Sequence, residues 1–144
     1  MDIYRQRVLN HYREPHNQRH PADVDRQATG FNPLCGDKLT VYFAVQDDTL
    51  ADVAFEGAGC AIAIASASMM TDALQGLPIK QANTLIDSAT AMLTDGKTPH
   101  DTRLQEVRAL EGVRDYPSRI KCATLAWSAA AAALKGENNQ VTTE

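Results

Sequence analysis

Apolar and polar positions alternate with a period of two through the first half of the chain. Leu39, Val41, Phe43 and Val45 alternate with Lys38, Thr40, Tyr42 and Ala44, and beyond Asp47-Asp48 the residues Val53 and Phe55 alternate with Asp52, Ala54 and Glu56. This alternation, broken by two turn-forming aspartates, predicts an antiparallel hairpin, with a further strand possible near Gly30. Ahead of it, Tyr4, Val8 and Tyr12 recur at helical spacing between Asp2, a capping residue, and Pro15, which stops a helix. A short amphipathic N-terminal helix is expected, with those three on one face. Residues 16–29 are polar and irregular and read as an exposed connection.

From Ala61 onward the pattern is helical. One helix is expected from about Ala61 to Leu74 with Gly76 as its stop, and another from about Ile79 to Leu93 with Gly96 as its stop. A charged helix is expected over Asp101 to Leu110, and after Tyr116-Pro117 a last one runs from about Ser118 to Leu134. Strands first and helices afterwards define an α+β fold, a small antiparallel β-sheet with helices packed on one face. Residues 1–135 are expected to form a single domain and residues 136–144 a flexible polar C-terminal tail.

Composition narrows the function. The chain has 144 residues, 44% hydrophobic and 22% charged, which excludes collagen-like, disordered and multi-span membrane classes. A net charge of −4 argues against nucleic acid as a partner. The first residues carry charges every few positions with no apolar core, and the alanine-rich stretches are too short to span a bilayer. A cytoplasmic protein without membrane contact is expected.

The three cysteines, Cys35, Cys60 and Cys122, are odd in number and cannot close into a complete internal disulfide framework. Cys35 lies in Asn32-Pro33-Leu34-Cys35-Gly36-Asp37, dense in turn formers, so Cys35 and Asp37 are expected on one loop. Cys60 follows Gly57-Ala58-Gly59, at or beside a helix N-terminus where the dipole favours thiolate. Cys122 follows Arg119-Ile120-Lys121, whose two cations favour thiolate, and is expected in the first turn of the last helix. Three thiolates and the Asp37 carboxylate would complete a tetrahedral site, and soft sulfur donors select zinc, Cu(I) or iron over magnesium or calcium. Such a site carries excess negative charge, which Arg119 and Lys121 are placed to offset. Free cysteine also packs as a small hydrophobe, so on residue types alone inert buried thiols stand beside this reading.

Other candidates are weaker. His16 and His20 are four apart but follow Pro15 in a polar stretch and read as solvated loop histidines. His100 falls in a turn, Gly57-Ala58-Gly59 lacks the remainder of a phosphate cradle, and Met69, Met70 and Trp127 read as core.

Four segments together carry a family likeness. They are Tyr4 with His11-Tyr12, Pro15 and Asn17; Asn32 to Asp37; Gly57 to Cys60 followed by Ala67-Ser68-Met69-Met70-Thr71; and Tyr116-Pro117-Ser118-Arg119-Ile120-Lys121-Cys122 through Trp127. Up to about Leu134 the chain resembles the IscU/NifU-N-like family of iron-sulfur cluster assembly proteins. Within it the likeness is to the zinc-containing, sulfur-accepting SufU branch. The scaffold branch has a histidine directly before its third cysteine, where this chain has Lys121, and a Leu-Pro-Pro-Val-Lys motif that is absent here. The segment between Cys60 and Cys122 is also longer than in the scaffold branch.

The resemblance implies Cys35, Asp37, Cys60 and Cys122 as metal ligands, Zn²⁺ as the cofactor and Cys35 as the acceptor of persulfide sulfur. It further implies an accessory role that stimulates a SufS-type PLP-dependent cysteine desulfurase and supplies downstream iron-sulfur assembly proteins. The alternatives are a scaffold holding iron or a transient [2Fe-2S] cluster on the same ligands, and a structural zinc domain without transfer chemistry.

Overall fold

The structure, a computed structural model, describes residues 3–98, 101–136 and 140–142. The chain runs α1 (Ile3–Arg13), β1 (Arg26–Asn32), β2 (Asp37–Gln46), β3 (Thr49–Ala58), α2 (Ala61–Leu74), α3 (Ile79–Asp95), two 3₁₀ segments (Thr102–Leu104 and Val107–Asp115), α4 (Pro117–Leu134) and β4 (Gln140–Thr142). The sheet order is β3-β2-β1-β4, with β1, β2 and β3 antiparallel. Asp47 and Asp48 join β2 to β3, and both have positive φ, as a tight two-residue hairpin turn requires. The expected alternation holds in part: Leu39, Val41, Phe43, Val53 and Phe55 are fully buried, but Tyr42 and Ala54 of the opposite face are buried as well and Val45 is only partly so.

α4 packs across β1 and β2 and also against α2 and α3, while α1 lies on α2. Enclosed on most sides, α2 is buried almost all round, and its small residues Ala63, Ala65, Ser66, Ala67 and Ser68 permit the close approach. Trp127 of α4 is fully buried and donates from Nε1 to Ser66 Oγ at 3.1 Å, and Ser66 Oγ donates to the Ala123 carbonyl at 2.6 Å. Burying each such large side chain contributes roughly 1.5–3 kcal/mol.

Four expectations are corrected. Tyr4 and Tyr12 are exposed; α1 turns Val8 and the buried His11 inward, because Ser68 of α2 supplies a hydrogen-bond partner for the imidazole. The supposed charged helix is two 3₁₀ segments. Its buried residues Leu104, Val107, Leu110 and Val113 recur every third position, which matches three residues per turn. The connection after α1 is not wholly exposed: Asn17 and Arg19 exchange backbone hydrogen bonds with Phe55 along the free edge of β3, and β1 occupies the end of the segment. Within the supposed tail, residues 140–142 form β4, parallel to β1, through backbone pairing that needs no apolar side chain. The Asp2 cap and the His100 turn lie outside the described residues.

Candidate metal centre

β1 and β2 pair from Arg26 and Phe43 as far as Asn32 and Asp37, where a four-residue turn, Pro33 to Gly36, closes the hairpin. Asp37 is therefore the first residue of β2 and not part of the loop. Gly36 has φ +71°, and the turn leaves Cys35 exposed. Asp37 points inward and is 2% exposed. Its Oδ1 accepts from the Cys60 backbone N–H at 2.8 Å, and Cys60 is the N-cap residue of α2.

The thiols come from three directions. Cys35 Sγ and Cys122 Sγ are 3.3 Å apart, and Cys60 Sγ is 3.9 Å from Asp37 Oδ2. One ligand atom from each of Cys35, Asp37 and Cys122 lies within 4.8 Å of the others. Cys122 is the sixth residue of α4, in the second turn and not the first, and it is buried. Its expected acidity is corrected: burial, then hydrogen bonds with Cys35 and Cys60 and the charge on Cys60 and Asp37, push this thiol far above its usual range.

Asn32 opens the turn-rich motif that holds Cys35 and Asp37. It is fully buried, and its Nδ2 donates to Asp37 Oδ2 at 3.1 Å and to Cys122 Sγ at 3.4 Å. Its place opposite Asp37 in a tight hairpin was the available hint. Gly59 has a comparable role by absence: a Cβ there would stand 2.7 Å from Asp37 Oδ1. Arg119 and Lys121 are exposed on α4, and their side chains make no hydrogen bond or ion pair among the described residues.

The donor set fits a soft or borderline divalent cation. Asp37 is a buried carboxylate that accepts N–H groups from Asn32 and Cys60 and is flanked by thiols, a combination that a cation would neutralise. Cys35, Asp37 and Cys122 are close enough to one another to hold it, Cys60 Sγ stands beside Asp37 but outside that group, and Asn32 fixes the orientation of Asp37 and Cys122.

His16 and His20 are exposed, as expected of loop residues, yet each has a partner: His16 Nδ1 lies 2.5 Å from Asp72 Oδ2, and the His20 ring meets Tyr42 in a tilted contact with ring centroids 4.6 Å apart. Burial, and then the neighbouring His16, push His11 below the ordinary imidazole value.

Three antiparallel strands, extended by β4 and backed by helices, thus carry Cys35, Asp37 and Cys122 together at one end with Cys60 beside Asp37. The chain belongs to the family of the NifU-like N-terminal domain, whose model matches residues 3–140. Among its relatives is the zinc-dependent sulfurtransferase SufU of Bacillus subtilis, 38% identical over 130 residues that cover 88% of this chain and 86% of the relative. The iron-sulfur cluster assembly scaffold protein IscU of Streptococcus pyogenes is 37% identical, covering 95% of this chain and 86% of its own length. The solved N-terminal part of a nitrogen-fixing NifU-like protein from Brucella abortus superposes with a TM-score of 0.84 at 28% identity, covering 93% of each chain. Family membership places the chain in iron-sulfur cluster assembly. No helix among the described residues is long and apolar enough to cross a membrane.

Proposed function

We propose that the chain is a zinc-dependent sulfur-transfer protein that takes persulfide sulfur from a cysteine desulfurase onto Cys35. The carrying observation is the contrast between Cys35, exposed on a four-residue turn, and its neighbour Cys122, buried in a helix. A donor can reach the first thiol and not the second. Likeness to the Bacillus subtilis sulfurtransferase supports zinc in preference to other soft cations.

In the transfer step the Cys35 thiolate attacks the outer sulfur of the donor persulfide. A sulfur-sulfur bond forms at Cys35, the donor's sulfur-sulfur bond breaks, and the donor cysteine leaves as a thiolate, so no external oxidant or reductant is required. Bound zinc would supply the positive charge that keeps these sulfurs deprotonated at neutral pH. Cys60 and Cys122 stay on their helices while the turn carries Cys35 outward. Arg119 and Lys121 offset the negative charge of the site, and their exposure leaves them available to an anionic partner surface. The partner is a SufS-type PLP-dependent desulfurase, and the sulfur passes on to downstream assembly proteins in the cytoplasm.

Metal analysis of freshly purified protein, read beside stimulation of the desulfurase, tests the proposal. Zinc near one equivalent per chain and loss of stimulation in Cys35→Ala are expected; undiminished stimulation by that variant would refute the acceptor role. A second reading, assembly of a [2Fe-2S] cluster on the same ligands, is favoured by likeness to the Streptococcus pyogenes scaffold protein. Anaerobic reconstitution of a stable cluster that passes intact to an apo-acceptor would select it.

A further inference from the structure

Away from the cysteines, His11, His16 and Asp72 gather where the end of α1 meets α2. His11 is 6% exposed, and its Nδ1 lies 2.7 Å from Ser68 Oγ. His16 follows Pro15 just beyond the helix, and its backbone N–H donates to the same Ser68 Oγ at 2.8 Å. Its Nδ1 lies 2.5 Å from Asp72 Oδ2, one helical turn beyond Ser68. The two imidazole centroids are 4.6 Å apart. One nitrogen from each ring and one carboxylate oxygen of Asp72 all lie within 4.8 Å of one another.

We infer that these three side chains form a second metal site, for a divalent first-row transition cation. An ion pair accounts for His16 and Asp72, and Ser68 for the burial of His11, but neither accounts for two imidazoles brought within 4.6 Å of each other beside one carboxylate. The flanking contacts are those that orient metal ligands: Ser68 fixes His11 and the His16 backbone, and Asn17 Nδ2 donates to Asp72 Oδ1 at 3.4 Å and to Thr71 Oγ1 at 3.0 Å. Two imidazoles and a carboxylate suit Zn²⁺, Fe²⁺, Co²⁺ or Ni²⁺ and disfavour Cu(I), whereas the cysteine cluster prefers softer ions. The two sites therefore differ in selectivity. The side chains of His16 and Asp72 are about half exposed, at 53% and 48%, so the remaining coordination positions face water and the ion can exchange. Occupation would also tie the segment after α1 to α2.

The site is tested on protein whose cysteine cluster already holds zinc. Co²⁺, and Fe²⁺ in a parallel anaerobic series, is added and bound metal is measured by equilibrium dialysis. One further equivalent per chain is expected, without zinc release and without the sulfur-to-cobalt charge-transfer absorption that thiolate ligation gives. His16→Ala and Asp72→Asn, both surface changes that leave His11 in place, should each weaken that binding at least about tenfold. Absence of a further equivalent in the unaltered chain, or undiminished binding in either variant, would overturn the assignment. Neither result depends on whether Cys35 accepts sulfur.

Discussion

Asn32 and Asp37 face each other across the last rung of the β1–β2 ladder, and Asn32 Nδ2 donates to Asp37 Oδ2 at 3.1 Å while also reaching Cys122 Sγ at 3.4 Å. A single buried amide thus fixes Asp37 and Cys122, two proposed ligands that come from a strand and a helix 85 residues apart in sequence. The exposed turn between Asn32 and Asp37 can then move without disturbing either. Held groups on one side and an exposed thiol on the other are what the proposed sulfur transfer requires.

Asn32→Leu keeps the number of side-chain heavy atoms and removes both donated hydrogen bonds. Metal affinity, measured by chelator competition, should fall about 10–100-fold, the usual loss when a ligand's outer partner is removed. An affinity equal to that of the unaltered chain would show that Asp37 and Cys122 are oriented without it.

Gly59→Ala places a Cβ 2.7 Å from Asp37 Oδ1 and 3.1 Å from its Cγ. The carboxylate must shift, at a cost of about 1–3 kcal/mol, and Tm should fall by several degrees together with metal affinity. Gly112→Ala is the control, since nothing lies within 4 Å of the added atom there. Equal effects at the two positions would contradict the tight fit at Asp37.

Arg19 anchors the segment after α1 to β3 through two hydrogen bonds to Asp52, of 2.9 and 2.7 Å. That guanidinium holds the Asp52 carboxyl below its ordinary value, with burial opposing. A lowered folded pKa means stability present above the unfolded carboxyl value, near 4, and lost as pH falls through the folded value. Both side chains are substantially exposed, so the contribution is small, about 0.2–1 kcal/mol. Asp52→Asn should lower stability slightly at pH 7 and flatten its dependence below about pH 4, as read from denaturant midpoints across pH.

Ser66→Ala leaves the buried Trp127 Nε1–H without its acceptor, at a cost of about 1–3 kcal/mol. The chain has one tryptophan, so its fluorescence reports the change directly while thermal unfolding measures the loss. Unaltered emission and Tm would contradict the α2–α4 packing described above.

How much of this was legible beforehand depended on whether a residue's partner lay near it in sequence. The hairpin was legible because its period of two spans consecutive residues, and the place of Cys60 at a helix start because the glycines before it adjoin it. The inward face of α1 was misplaced because periodicity counts imidazole as polar, and the partner that lets His11 be buried, Ser68, is 57 residues away. The acidity expected of Cys122 failed similarly: two cations precede it in sequence, but the helix turns them to solvent and the thiol inward. The pairing of β4 uses backbone groups that any three residues possess, so no side-chain pattern announces it.

The central claim is that Cys35 is the sulfur acceptor. Its direct test is mass spectrometry of the zinc-loaded chain after brief exposure to a cysteine desulfurase turning over cysteine, with peptides mapped under non-reducing conditions. The account predicts one added sulfur atom on the peptide containing Cys35, none on those containing Cys60 and Cys122, and none anywhere in Cys35→Ala. Added sulfur on Cys60 or Cys122, or undiminished uptake by the variant, would contradict it.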